Sequence, residues 1–202
     1  QHVETYWNHV YTKDPDAMGW SPEGSDYNAF AGRFTAQLVW SWKRLKGEDL
    51  TEQWPAIRKA AWSNLPVLVP IQVEGDKGLV ERAIHPDIAD ESPLFAGEAM
   101  PAYALALAHE QSSAIPSENF DYRAGVKWII EKYFGNEPWG PSGKTGDGTW
   151  ATKRGGGLQL VCFWPDDIKA KNPAEVWGLN YYDPSYGVFA LRNRYGDAKG
   201  DH

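Results

Sequence analysis

One long amphipathic stretch, residues 20–47, constrains the fold more than any other part of the chain. After a turn rich in helix breakers, Ser25 or Asp26 can cap a helix, because a short side-chain oxygen accepts hydrogen bonds from the free N–H groups of the first turn. At the other end, Gly47 is suited to a left-handed helix stop. The sequence therefore predicts a helix over residues 27–46 that ends at Gly47.

Large apolar side chains recur along this predicted helix at intervals of three and four residues. Residues at that spacing lie on the same side of a helix, so they form one apolar face. The predicted apolar face consists of Tyr27, Phe30, Phe34, Leu38, Trp42 and Leu45. Basic side chains crowd the last turn, where they complement the negative end of the helix dipole.

The rest of the chain is organised as helices first and strands later. Helical patterns start at Pro55 and near Gly97. A fourth helical pattern places five apolar residues together: Tyr122, Val126, Ile129, Ile130 and Tyr133. Residues 72–97 are predicted to form a long irregular loop, and Pro165–Asn180 a second irregular stretch. Residues 158–164 are compatible with a strand or a short helix, and 186–194 favour a strand. This order is typical of an α+β chain or of two segregated domains.

Composition restricts the possible functions. The net charge of −7 argues against a nucleic-acid-binding face, and no apolar run is long enough to cross a bilayer. The lone Cys162 excludes an intramolecular disulfide. The 11 tryptophans and 10 tyrosines suit either a helical core filled with large rings or an aromatic cleft that binds sugars.

No motif in the sequence indicates a metal or a cofactor. The five histidines are scattered and show no metal-ligand spacing. Gly143-Lys144-Thr145 resembles the end of a phosphate-binding loop, but Pro138 stands where that motif needs its first glycine. We therefore predict a chain without a metal site or a cofactor.

Two sets of residues near the start of the long helix could perform chemistry. Tyr27 is either a core residue or a phenol exposed to a cleft, where the helix N-terminus would stabilise its ionised form. Such a phenol suits β-elimination from a uronic acid, because it can take the C5 proton and return a proton to the leaving O4. Glu23 and Asp26 could instead act as the acid and base of a glycoside hydrolase, although Asp26 also suits a helix cap.

A family pattern supports the tyrosine. The segment Glu23-Gly24-Ser25-Asp26-Tyr27-Asn28-Ala29-Phe30, followed by a long helix and Lys46-Gly47-Glu48-Asp49-Leu50, resembles the toroid segment of the heparinase II/III-like polysaccharide lyases. The related alginate lyases and dermatan sulfate epimerases are similar. Towards the C-terminus, the segments 162–166 and 187–194 resemble the start of that family's β-sandwich. Tyr27 matches the position of the family's catalytic tyrosine.

The resemblance implies a mainly α fold, with helical hairpins of an incomplete (α/α) toroid followed by the first strands of a β-sandwich. The implied domains are a toroid segment over 1–136, a Gly/Pro-rich linker over 137–156 and the start of the sandwich over 157–202. Tyr27 would be the base, the acid or both. The predicted substrate-binding residues are Glu23, Asn28, Arg33, Trp20, Trp139 and Arg192, with the arginines as anion contacts and the tryptophans as sugar platforms.

The resemblance also sets expectations about partners and location. In the family, the partners of the tyrosine lie on an upstream Asn/His hairpin and in a downstream histidine turn, and neither has a clear counterpart here. We therefore expect a segment of a larger enzyme, with its remaining segments and an acidic polysaccharide or oligosaccharide as partners. Nucleic acid and membrane are not expected, and the expected location is periplasmic or secreted. The alternatives are a toroid glycoside hydrolase using Glu23 and Asp26, or a non-catalytic carbohydrate-binding fragment.

Overall fold

The computed structural model describes residues 24–53, 65–75, 78–84, 123–134, 164–184, 187–196 and 199. These residues form four helices and four strands. The helices are α1 (Gly24–Lys46), α2 (Leu50–Gln53), α3 (Arg123–Phe134) and α4 (Pro173–Val176). The strands are β1 (Val69–Gly75), β2 (Gly78–Ile84), β3 (Tyr181–Asp183) and β4 (Val188–Ala190).

The C-terminal end of α1 is confirmed. Gly47 has a φ of +74°, and its N–H donates to the Lys43 carbonyl at 2.9 Å, as in a left-handed helix stop. The N-terminal boundary differs from the prediction, because the helix begins at Gly24. Ser25 and Asp26 therefore lie inside the first turn and do not precede it, so neither is the predicted cap. A position in that turn is still close to the positive end of the helix dipole.

The predicted apolar face of α1 is not the face that is buried. Phe34 is 55% exposed and Leu45 is 81% exposed. The buried side chains in the described part of the helix are Thr35, Ala36 and Val39. The large apolar residues and the buried ones occupy neighbouring sectors of the same helix, so the spacing was recognised correctly but the orientation was not.

A β-hairpin lies where the sequence indicated a helix end and a loop. Strands β1 and β2 pair antiparallel from Val69↔Ile84 to Gly75↔Gly78. The prediction of an irregular loop over residues 72–97 is therefore wrong for 72–75 and 78–84, and the part after residue 84 lies outside the described residues. Gly78, which pairs with Gly75, has a φ of +112°, a conformation that glycine adopts readily.

Helix α3 forms the centre of the described core. Four of its predicted apolar residues are buried, which confirms the periodicity argument for the described part of this segment: Val126, Ile129, Ile130 and Tyr133. The fifth, Tyr122, lies outside the described residues. The helix packs against α4 and β2. It is also tied to β2 by an ion pair between Lys132 Nζ and Glu81 Oε2 at 2.8 Å.

The chain after residue 164 wraps around α3. The Lys127 Nζ donates to the Pro165 carbonyl at 2.8 Å, and the Lys171 N–H donates to the Ala124 carbonyl at 3.1 Å. Asn172 caps α4, because its Oδ1 accepts from the Ala174 N–H at 3.0 Å. The segment 165–180 is thus mostly irregular, as predicted, but contains this short helix.

Strands β3 and β4 form a second antiparallel pair, with Tyr181↔Ala190 and Asp183↔Val188 in register. The predicted strand over 186–194 is shorter, since β4 spans Val188–Ala190. Among the described residues, neither a closed ring of helices nor two facing sheets is formed. The toroid, the sandwich and the three predicted domains therefore stay predictions.

Candidate functional site

Tyr27 lies in the first turn of α1, as its fourth residue. The first four N–H groups of a helix have no intrahelical acceptor, so the backbone around Tyr27 forms the positive end of the helix dipole. Asn28 and Arg33 lie further along the same helix. The described side chains of α1 begin at Phe34, so the orientation of these three side chains stays a prediction.

The remaining predicted site residues fall into two groups. Glu23, Trp20 and Trp139 lie outside the described residues. Arg192 is described, including its side chain, and is half-buried. The gathering of Tyr27 with the predicted substrate-binding residues around one ligand therefore stays a prediction.

Arg192 has a structural role. Its Nη2 donates to the Pro66 carbonyl at 3.2 Å and also to the Leu68 carbonyl. Its guanidinium carbon lies 4.3 Å from the centroid of the Tyr195 ring, within the range of a cation–π interaction. The side chain thereby joins the segment before β1 to the C-terminal segment. Its assignment as an anion contact stays a prediction.

A tryptophan and a tyrosine also contact each other in the C-terminal segment that Arg192 joins to the segment before β1. The Trp177 indole N–H donates to the Tyr195 hydroxyl at 3.0 Å, and the two rings meet edge to face at 6.5 Å. The Trp177 ring also lies against Gly125 of α3, where a Cβ atom would come within 2.3 Å of it. These contacts hold the C-terminal segment on α3 at a fixed position.

Two buried polar side chains were not singled out by sequence reasoning. Tyr181 and Asp183 alternate on the inner face of β3, and Asp183 is fully buried. Burial, with a further contribution from the Asp183 carboxylate, raises the pKa of Tyr181 above its usual value. The phenol therefore stays protonated at neutral pH and can act as a hydrogen-bond donor. Two adjacent tyrosines, a residue type enriched in strands, were the available signal for β3, whereas the sequence shows no alternation that would indicate the burial of Tyr181 and Asp183.

Sequence reasoning also missed the pairing of Tyr182 with the outer face of β4. Tyr182 and Phe189 are directly opposite in the register and are 60% and 66% exposed. Leu191, just beyond β4, is exposed as well. Two aromatic side chains in adjacent strands form a larger apolar surface than either could alone.

Within the described residues, no group of three or more His, Cys, Asp and Glu side chains is placed to hold a metal ion. The helices described above also include none with the length and apolar content needed to span a membrane. No family model, curated protein or solved structure matches the chain.

Proposed function

We propose that this chain is part of a polysaccharide lyase that cleaves a uronate-containing acidic polysaccharide by β-elimination. One observation carries the proposal: Tyr27 lies in the first turn of a 23-residue helix, at the place that the motif around Glu23–Phe30 assigns to a catalytic tyrosine. The confirmed helix stop at Gly47 adds support, since the motif needs a long helix followed by a turn.

The chemistry requires a base that takes the C5 proton and an acid that protonates O4, and a single tyrosine can serve as both. The Tyr27 phenolate removes the proton from C5 of the uronate, and the electron pair of that C–H bond forms the C4=C5 double bond. The C4–O4 bond breaks, and the phenol returns its proton to O4. Negative charge on the phenolate is favoured near a helix N-terminus. A polar group that neutralises the substrate carboxylate is also needed, and we assign it to the remaining segments of the enzyme.

The proposed location follows from the substrate. A long anionic polymer does not cross a membrane unaided, so the enzyme that shortens it acts in the periplasm or outside the cell. The single cysteine cannot form an intramolecular disulfide, and it does not distinguish the cytosol from the periplasm.

The test replaces Tyr27 with phenylalanine in the complete enzyme. Tyr27→Phe keeps the ring and removes the hydroxyl, so turnover should fall by about a hundredfold to ten-thousandfold, as for the loss of a positioned acid or base. Elimination is followed by the ultraviolet absorbance of the unsaturated uronate, on alginate, glycosaminoglycan and ulvan-like substrates. The melting temperature should change little.

Two further variants make the test selective. Tyr133→Phe removes a hydroxyl from a buried core tyrosine of α3, and it should leave turnover unchanged. Glu23→Gln examines the glycoside hydrolase alternative. Normal turnover by Tyr27→Phe, together with an inactive Glu23→Gln and no ultraviolet product, would show that the tyrosine assignment is wrong. Absence of any elimination by the wild type would contradict the lyase proposal itself.

A further inference from the structure

The outward face of the β3–β4 hairpin is aromatic, flat and uncharged. The strand alternation places Tyr181 and Asp183 inward, so Tyr182 lies on the opposite side. Tyr182 pairs directly with Phe189, and Leu191 continues the apolar surface along the chain. We call Tyr182, Phe189 and Leu191 the aromatic platform. None of its three side chains carries a formal charge at neutral pH.

We infer that the aromatic platform binds a pyranose ring of the polysaccharide by stacking against its C–H face. The choice of a sugar as ligand rests on the proposed function. The faces of aromatic rings carry partial negative charge, and the C–H groups of a sugar ring carry partial positive charge. An uncharged platform therefore recognises the ring face and not the carboxylate, so it would hold the polymer away from the reacting uronate.

The size of the platform favours a sugar over a protein. A whole aromatic side chain buries about 150–250 Å², so the three partly exposed side chains offer roughly 400 Å². A stable protein interface needs about 800 Å² from each partner. The platform is thus too small for a second copy of the chain by itself and large enough for one or two sugar rings.

The inner face of the hairpin makes the platform rigid. Tyr181 and Asp183 of β3 are buried, and Val188 and Ala190 of β4 are half-buried on the same side of the hairpin. Because the inner face of the hairpin is packed against the protein, the platform loses little conformational entropy when a ligand binds, which favours binding of a small, flat ligand.

The experiment measures saccharide binding by isothermal titration calorimetry. The probes are a tetrasaccharide prepared from alginate and the uncharged cellotetraose, and all proteins carry Tyr27→Phe so that the substrate is not consumed. Tyr182→Thr and Phe189→Thr should each weaken the binding of both probes about three- to tenfold, as expected for the loss of one ring contact. Tyr182→Phe, which keeps the ring, should retain binding.

A matched control comes from the other hairpin. Leu79 on β2 is 68% exposed, so Leu79→Thr removes an exposed apolar side chain from a strand without touching the platform. It should leave both affinities unchanged. Raising the ionic strength should change the affinity for cellotetraose by less than about twofold, because screening acts on charges.

Three outcomes would overturn the inference. The first is that neither threonine variant weakens binding, and the second is that the wild-type platform binds neither probe. The third is that the threonine variants dissolve a dimer in sedimentation experiments, which would make a second copy the occupant. The proposed function fails separately: platform-dependent binding without any elimination would reject the lyase and keep the platform. Elimination that depends on Tyr27, together with platform variants that bind the probes as tightly as the wild type, would reject the platform and keep the lyase.

Discussion

Helices α1 and α3 follow the same sequence rule and have different environments. Both carry apolar side chains at helical spacing. In α3, residues such as Ile129 and Ile130 are almost completely buried. In α1, Phe34 and Leu45 remain exposed, and the buried sector holds the smaller Ala36. Spacing shows which residues share a face, but it does not show that the face meets a partner.

The neighbours of each helix explain the difference. Helix α3 packs against α4 and β2, and the segment after residue 164 adds hydrogen bonds along its side. Among the described elements, α1 packs against the short α2. Hydrophobic stabilisation depends on the apolar area removed from water, so the same residue type contributes much in α3 and little on the exposed face of α1.

Polar side-chain contacts, and not apolar packing, connect the C-terminal end of α1 to the turn that follows it. The Trp42 indole N–H donates to Glu48 Oε2 at 3.0 Å, and Lys43 Nζ lies 3.0 Å from Asp49 Oδ2. Asp49 in turn accepts from the Thr51 N–H at 2.9 Å and so caps α2. Exposed ion pairs contribute little free energy, so these contacts define the turn more than they stabilise the fold.

The sharpest test of the comparison is a pair of matched truncations. Ile130→Ala in α3 should lower the free energy of unfolding by about 2–5 kcal/mol, since it removes buried apolar volume and leaves a cavity. Leu45→Ala in α1 should change it by less than about 0.5 kcal/mol, because that side chain is already in water. Urea denaturation of the full chain measures both. Equal losses of unfolding free energy in the two variants would show that the two positions do not differ in the contribution of their apolar side chains to stability.

A second test adds volume to α3. Gly125→Ala would place a Cβ atom 2.3 Å from the Trp177 ring, and we expect a loss of about 1–3 kcal/mol from overpacking. Alanine is the better helix former by about 1 kcal/mol, which offsets part of that loss. The double variant Gly125→Ala, Trp177→Leu should recover stability relative to the sum of the single changes. Strict additivity in thermal or urea unfolding would contradict the contact.

The third and smallest effect concerns the end of α1. A side chain at Gly47 would meet no atom within 4 Å, so Gly47→Val changes the backbone energy and no packing. We expect a cost of about 1 kcal/mol or slightly more, because valine disfavours positive φ. Asparagine tolerates that conformation, so Gly47→Asn should cost less than Gly47→Val. A Gly47→Val variant that melts at the same temperature as the wild type would show that the left-handed stop contributes nothing.

Sequence patterns located some elements and missed others for definable reasons. The hairpin β1–β2 was missed because Pro70 and the glycines around residues 76 and 77 indicated a loop, whereas the pairing of Val69 with Ile84 is a non-local interaction. Pro70 is accommodated within β1 even though it has no N–H to donate. The candidate site shows the same limit of sequence patterns. The place of Tyr27 in the first turn of a helix follows from neighbouring residues, whereas the carbonyl groups that Arg192 binds are distant in sequence.

Local physical chemistry was sufficient for the end of α1 at Gly47 and for which residues of α3 share its apolar face, because a left-handed glycine and a 3.6-residue period act within a few residues of each other. Only the tertiary structure decided which side of α1 is buried, which carbonyls Arg192 binds and that Tyr182 faces Phe189. Each of these features depends on residues that are distant in sequence. The free energy of burial or of strand pairing arises only when two segments meet, so neither segment alone determines it.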